Sequence, residues 1–292
     1  MIISVNGRQC DEQEAVISVY DHGFLYGMGV FETLRTYRSK PFLLAEHMQR
    51  LKNGCKELGI EFQPDTAGVE REIHDLLAAN GLEDAYVRYT VTAGIQPLGL
   101  PAEPYGKPAI VIYVKPLPPL DEPASRTGKP LQLLRTRRTR PETPIRLKSL
   151  HYMNNILAKM EMNSYPWSQG AEGLFTDEAG YLAEGLVSNL FFVAGGKLCT
   201  PALETGILPG ITRQWVIRNA ERWVPGLAVA EGLFTEEQLW GAEEVFMTNS
   251  VQEIVPVTGI YTPEGQFKQA GTGRPGSVTT ALMANYRLTA LQ

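Results

Sequence analysis

Residues 146–155 read RLKSLHYMNN, which sets Lys148 just ahead of a helical apolar run. Lysines usually lie on solvated faces. One that attacks a carbonyl carbon must be neutral part of the time, a state that burial and nearby cations favour. Other stretches carry groups that could support such an amine. In LAEGLVSNLFFV (182–193), Glu184 lies beside a glycine ahead of an apolar strand. A buried carboxylate is costly unless paired, and a cationic ring nitrogen would be a suitable partner. LPGITR (208–213) places Pro and Gly immediately before a helix that opens with Ile211 and Thr212. Backbone N–H groups at a helix start form an anion site, and a hydroxyl adds a donor. MTNS (247–250) brings Thr248, Asn249 and Ser250 to the end of an apolar strand, where ligand loops commonly sit. Each stretch taken singly also reads as plain structure: a surface lysine, a loop glutamate, a helix cap and turn formers.

Several other chemistries find no support. DHGFLYGMGVFE has three glycines, but neither the spacing nor the following strand suits a dinucleotide loop. GxxxxGK[ST] and the GxSxG elbow are absent, and no local pattern recommends a pair of carboxylates for glycoside chemistry. Cys10, Cys55 and Cys199 are far apart and form no CxxC pair, which fits small buried hydrophobes in a reducing cytoplasm. The four histidines show no metal-ligand spacing, so no metal is expected. A formal net charge of -5 gives no footprint for nucleic acid. No apolar run approaches the ~18 residues of a membrane span, and the N-terminus lacks the pattern of a signal peptide.

The elements that must position these groups are legible from periodicity. An Asn6-Gly7 pair marks a hairpin after residues 2–5. VISVY (16–20), VFETLRTY (30–37), AYVRYTVTAG (85–94) and AIVIYVK (109–115) read as strands. LLAEHMQRLKNGCKELGI (43–60) and PDTAGVEREIHDLLAANG (64–81) read as helices. PLPPLDEPASRTGKP (116–130), rich in proline, reads as a linker. Beyond it, helices are expected at 152–165, 210–224 and after Pro275, with strands over 189–200 and 243–250. The expected domains are therefore an N-terminal 1–116, a linker 117–130 and a C-terminal 131–292. Strands followed by helices, without strict alternation, favour a mixed α/β or α+β architecture.

Six blocks in order, DHGFLYGMGVFETLRTY (21–37), EHMQRL (46–51), LKSLHYMNN (147–155), LAEGLVSNLFFV, LPGITR and MTNSVQEI (247–254), resemble the class IV (fold-type IV) pyridoxal-phosphate enzymes. That family includes branched-chain and D-amino acid aminotransferases and aminodeoxychorismate lyases. The resemblance implies a small α/β N-terminal domain and a larger C-terminal domain with a barrel-like sheet. It further implies an active site between the domains and near a partner subunit, hence a homodimer. By the same resemblance, Lys148 bonds the aldehyde of pyridoxal 5'-phosphate, and Glu184 pairs with its ring nitrogen. Arg50, the Ile211 and Thr212 N–H groups, Ser250 and Thr248 hold the phosphate, and Tyr152 contacts the ring hydroxyl. The first and third blocks look most like the lyases, which convert 4-amino-4-deoxychorismate to 4-aminobenzoate and pyruvate for folate biosynthesis. Thr33 then matches a threonine used near the substrate, and equally reads as an ordinary strand residue. The alternative is an aminotransferase acting on D-amino or branched-chain amino acids. His151 departs from the family's common asparagine. Arg88 and the arginines from Arg135 to Arg146 either draw in an acidic substrate or, for most of them, form a solvated basic strand edge.

Overall fold

A computed structural model describes residues 1–117 and 127–292. The chain separates into two compact units, one of Met1–Pro118, Leu147–His151 and Leu291, the other of Pro119–Arg146, Tyr152–Ala290 and Gln292. Most of the linker expected at 117–130 lies outside the described residues. The segment Leu147–His151, which the sequence places in the C-terminal half, packs with the first unit.

In the first unit β1 (Ile2–Val5) and β2 (Arg8–Asp11) form the expected hairpin, followed by α1 (His22–Tyr26), β3 (Gly29–Tyr37) and β4 (Lys40–Pro41). Next come α2 (Leu44–Glu57), α3 (Thr66–Ala79), β5 (Ala85–Thr92) and β6 (Ala109–Pro116). The strands make one six-stranded sheet in the order β2-β1-β6-β5-β3-β4. Helices α2 and α3 cover one face, because Met48, Leu51 and Cys55 on α2 and Val69, Ile73, Leu76 and Leu77 on α3 recur at helical spacing. The run VISVY is not a strand. It passes through turns with Val16, Ile17 and Val19 exposed, since no neighbouring strand of the sheet takes it up.

The second unit contains β7 (Lys129–Leu133), α4 (Met153–Asn163), β8 (Glu172–Thr176), β9 (Leu182–Gly185), β10 (Asn189–Ala194) and β11 (Lys197–Pro201). It continues with α5 (Ile211–Trp223), β12 (Ala228–Gly232), α6 (Glu236–Trp240), β13 (Glu244–Asn249), β14 (Glu253–Tyr261), β15 (Phe267–Gln269) and α7 (Ser277–Ala290). Its sheet runs β12-β11-β10-β13-β14-β7-β8-β9, and β9 also pairs with β10. That last pairing, Asn189 opposite Glu184, closes β10, β13, β14, β7, β8 and β9 into a six-stranded ring. Both parts are mixed α and β, and the barrel-like sheet is present as expected.

The stacked rings of Phe191 and Phe246, 5.1 Å apart and fully buried, join the neighbouring strands β10 and β13. Phe246→Ala is expected to destabilise the protein by about 3–5 kcal/mol. Chemical denaturation monitored by circular dichroism measures this, and an unchanged midpoint contradicts the packing described.

Candidate active site

Lys148 is held by backbone pairing to β3. The Phe31 N–H donates to the Lys148 carbonyl at 2.8 Å, and the Leu150 N–H donates to that of Gly29 at 3.0 Å. Ser149 stands opposite Val30 in an isolated antiparallel bridge. The Lys148 ammonium lies 4.7 Å from the centroid of the buried Phe31 ring, and the Arg88 guanidinium lies 3.6 Å from the same centroid. Thr33 follows two residues along β3, on the same face as Phe31 and in register with Arg88 on β5. His151 ends this segment against α1. Its Nε2 is 3.3 Å from the Tyr26 carbonyl, and its ring fills the space where a Cβ on Gly27 would stand. Gly27 also has φ of +70°, so glycine suits that position twice over.

Arg50 and His47, three residues apart on α2, both reach Glu32 on β3. Arg50 donates Nε at 2.7 Å and an Nη at 2.6 Å to the two oxygens, a bidentate fork, and His47 Nδ1 lies 2.7 Å away. Burial pushes the Glu32 carboxyl up, but the Arg50 and His47 charges and hydrogen bonds more than offset it, and its pKa falls from 4.5 to about 2. Burial likewise lowers His47 below the usual imidazole value against the pull of Glu32, and the charges of Arg50 and Lys148 act in the same direction as burial.

In the second unit, Glu184 is the penultimate residue of β9, almost wholly buried. Oε1 accepts from Arg138 Nε at 2.8 Å, and an Arg138 Nη lies in ion-pair contact with it at 2.8 Å. Oε2 accepts from the Leu208 N–H at 2.9 Å and from Asn189 Nδ2 at 3.2 Å. Glu184, Asn189 and Thr248 stand opposite one another across β9, β10 and β13. Asn189 Nδ2 also donates to the Leu208 carbonyl, which ties this row to the LPGITR turn. Gly210 caps α5 with no side-chain hydrogen bond, and a Cβ there would collide with Asn189 Oδ1. Only glycine permits that approach. Ile211 and Thr212 open the helix, both buried, with Thr212 Oγ1 3.4 Å from the Tyr286 hydroxyl. The buried Thr248 hydroxyl finds no hydrogen-bond partner. Ser250 follows β13, and Tyr152 precedes α4 at its N-cap.

Arg138 corrects the sequence reading of a solvated basic edge. It is buried, its second Nη donates to Asn154 Oδ1 at 2.8 Å, and its guanidinium lies over the Phe175 ring. Arg146 is also drawn in: it donates to the carbonyls of Gly206 and Thr139, and burial and the Arg138 charge lower its pKa to about 10. Arg135, Arg137 and Arg140 do remain exposed, as expected for most of the run. Periodicity carries no sign of Arg138's role, because its partner lies 46 residues along the chain.

These groups fit pyridoxal phosphate. An unsatisfied buried hydroxyl beside an uncapped helix start suits a phosphate, and a buried carboxylate in the same row suits a protonated ring nitrogen. Among the described residues, no group of three His, Cys, Asp or Glu is placed to hold a metal ion, and no helix is long and apolar enough to cross a membrane.

The Glu32 cluster makes stability depend on acid. A carboxyl with a folded pKa below its unfolded value contributes fully above pH 4.5, and that contribution is lost as pH falls toward 2. The loss is on the order of 3 kcal/mol. Glu32→Gln is expected to destabilise the protein by about 3–5 kcal/mol at pH 7 and by clearly less at pH 3. Urea denaturation at the two pH values reads the difference, and an equal cost at both contradicts the ionised cluster.

Residues 29–260 match the model of the class IV amino-transferase family. The chain is 42% identical to the aminodeoxychorismate lyase of Bacillus subtilis, over 98% of this chain and 94% of that protein. Among solved structures, the 4-amino-4-deoxychorismate lyase of Pseudomonas aeruginosa superposes with a TM-score of 0.84 at 30% identity, covering 99% of this chain and all of that one. The T.th. branched-chain amino acid aminotransferase complexed with N-(5'-phosphopyridoxyl)-L-glutamate also superposes with a TM-score of 0.84, at 32% identity over 99% of this chain and 94% of that one. The protein belongs to the class IV aminotransferase family and is an enzyme whose cofactor is pyridoxal 5'-phosphate.

Proposed function

We propose that the protein is an aminodeoxychorismate lyase, converting 4-amino-4-deoxychorismate to 4-aminobenzoate and pyruvate in the cytoplasm, for folate biosynthesis. The end-to-end identity with the Bacillus subtilis lyase carries this reading. In the first unit, Lys148 bonds the cofactor aldehyde and Arg50, fixed by its fork to Glu32, binds phosphate. In the second, Glu184 holds the ring nitrogen, and the Ile211 and Thr212 N–H groups with the Thr248 and Ser250 hydroxyls bind phosphate. Tyr152 contacts the ring hydroxyl.

When bound, pyridoxal phosphate supplies an aldehyde that captures the substrate amine and a protonated ring that draws electrons from the amine-bearing carbon. The Lys148 amine, lying over the apolar Phe31 ring, removes the proton from that carbon. It then delivers a proton to the departing enolpyruvyl oxygen, directly or through water. Loss of pyruvate leaves an aromatic ring, and aromatisation drives the elimination. Arg88 draws in a substrate carboxylate, with Thr33 opposite it on β3 lying against the substrate.

A homodimer accompanies this reading. Met153, Leu157 and Met160 are exposed at i, i+4 and i+7 of α4, an apolar stripe suited to a second copy. Val16, Val19, Phe24 and Leu100 add exposed apolar surface on the first unit.

The second reading, an amino acid aminotransferase, draws on the equal superposition of the T.th. enzyme. Lysine, glutamate and phosphate cup serve the cofactor and are common to both activities. Supplying aminodeoxychorismate to the holoenzyme and following 4-aminobenzoate fluorescence separates them. Turnover is expected in wild type and its abolition in Lys148→Ala. Turnover only with D-alanine or L-leucine plus 2-oxoglutarate favours the aminotransferase.

A further inference from the structure

The second unit contains a cavity of about 400 Å³, within the range of small-molecule sites. One wall is a single face of the α4 region, since Tyr152, Asn155, Ile156 and Lys159 recur at i, i+3, i+4 and i+7. Leu186 and Val187, in the turn that leaves β9 directly after Glu184 and Gly185, also line the cavity. Lys129 and Glu172 line it as an ion pair, with Gln252 also accepting from Lys129.

The charges in this cavity do not balance. Two lysines face one carboxylate, and Lys129 is committed to it. Lys159 is exposed and, among the described residues, has no carboxylate within ion-pair distance. Ile156, Leu186 and Val187 supply apolar surface in the same cavity. A ring bearing a carboxylate matches the arrangement: its apolar body packs on the three aliphatic side chains, and its anion meets an ammonium at the rim. A simple aliphatic amino acid, whose only carboxylate sits on the reacting carbon, leaves the cation unused.

Resting on the lyase reading, we infer that this cavity is the subsite for the ring carboxylate of the substrate, with Lys159 as its specificity-determining cation. Tyr152, which lines the same cavity, then joins subsite to cofactor. A cation at the rim of a cavity acts through a partly screened attraction, so its removal costs affinity without disturbing the cofactor.

The test uses holoenzyme and two probes, 4-aminobenzoate, which keeps the ring carboxylate, and aniline, which lacks it. In Lys159→Ala, calorimetry is expected to show 4-aminobenzoate bound roughly threefold to tenfold more weakly, with aniline binding unchanged. The KM for aminodeoxychorismate rises by a similar factor, the absorbance of the bound cofactor stays as in wild type, and Lys159→Arg restores affinity. Equal 4-aminobenzoate affinity in wild type and Lys159→Ala overturns the inference, as does no measurable binding by wild type. Carboxylate-dependent binding in a wild type that turns over no aminodeoxychorismate sinks the lyase reading and leaves the subsite standing.

Discussion

A carboxylate withdrawn from water must be met by donors, and the second unit is built around that requirement at Glu184. Leaving such a charge without partners costs several kcal/mol. Arg138, Asn189 and Leu208 supply the three hydrogen bonds that Glu184 accepts, and a second Arg138 nitrogen adds an ion-pair contact. Asn189 is also the residue whose pairing with Glu184 closes the six-stranded ring. Barrel closure and orientation of the acid are therefore one event. The same asparagine, bonded to Leu208 and pressed against Gly210, brings the uncapped start of α5 to the row that ends in the Thr248 hydroxyl.

The first unit meets the same electrostatic problem differently. Glu32 is buried at the middle of β3 and compensated from α2 by Arg50 and His47. The fork leaves the arginine little rotational freedom, which suits the phosphate-binding role proposed for it. Along the same strand, backbone hydrogen bonds from Phe31 and to Gly29 hold the segment that carries Lys148. One strand thus anchors the amine on its edge and the arginine through its inward side chain.

Much of this was legible in the residues. The period of α2 and α3, the β-branched and aromatic composition of β3 and β5, and the glycine before α5 all follow from local rules that the tertiary structure obeys. Glu184 stood out because an acid beside an apolar strand needs a partner. That partner, Arg138, was hidden in RTRRTR among neighbours of identical type, all three of which are exposed. Burial of one arginine in such a run depends on a contact 46 residues away and leaves no periodic trace. VISVY shows the opposite failure. Its composition is that of a strand, but strand formation needs an edge to pair with, and its apolar side chains stay exposed. The placement of Leu147–His151 with the first unit is likewise a long-range pairing, from Ser149 back to Val30, that local pattern does not reveal.

The covalent role proposed for Lys148 is tested most directly by reducing the holoenzyme with borohydride and mapping the pyridoxyl label by peptide mass spectrometry. The account predicts a single labelled peptide, the one containing Lys148, and no label in Lys148→Arg. Stoichiometric label on Lys129, Lys159 or any other lysine would contradict it.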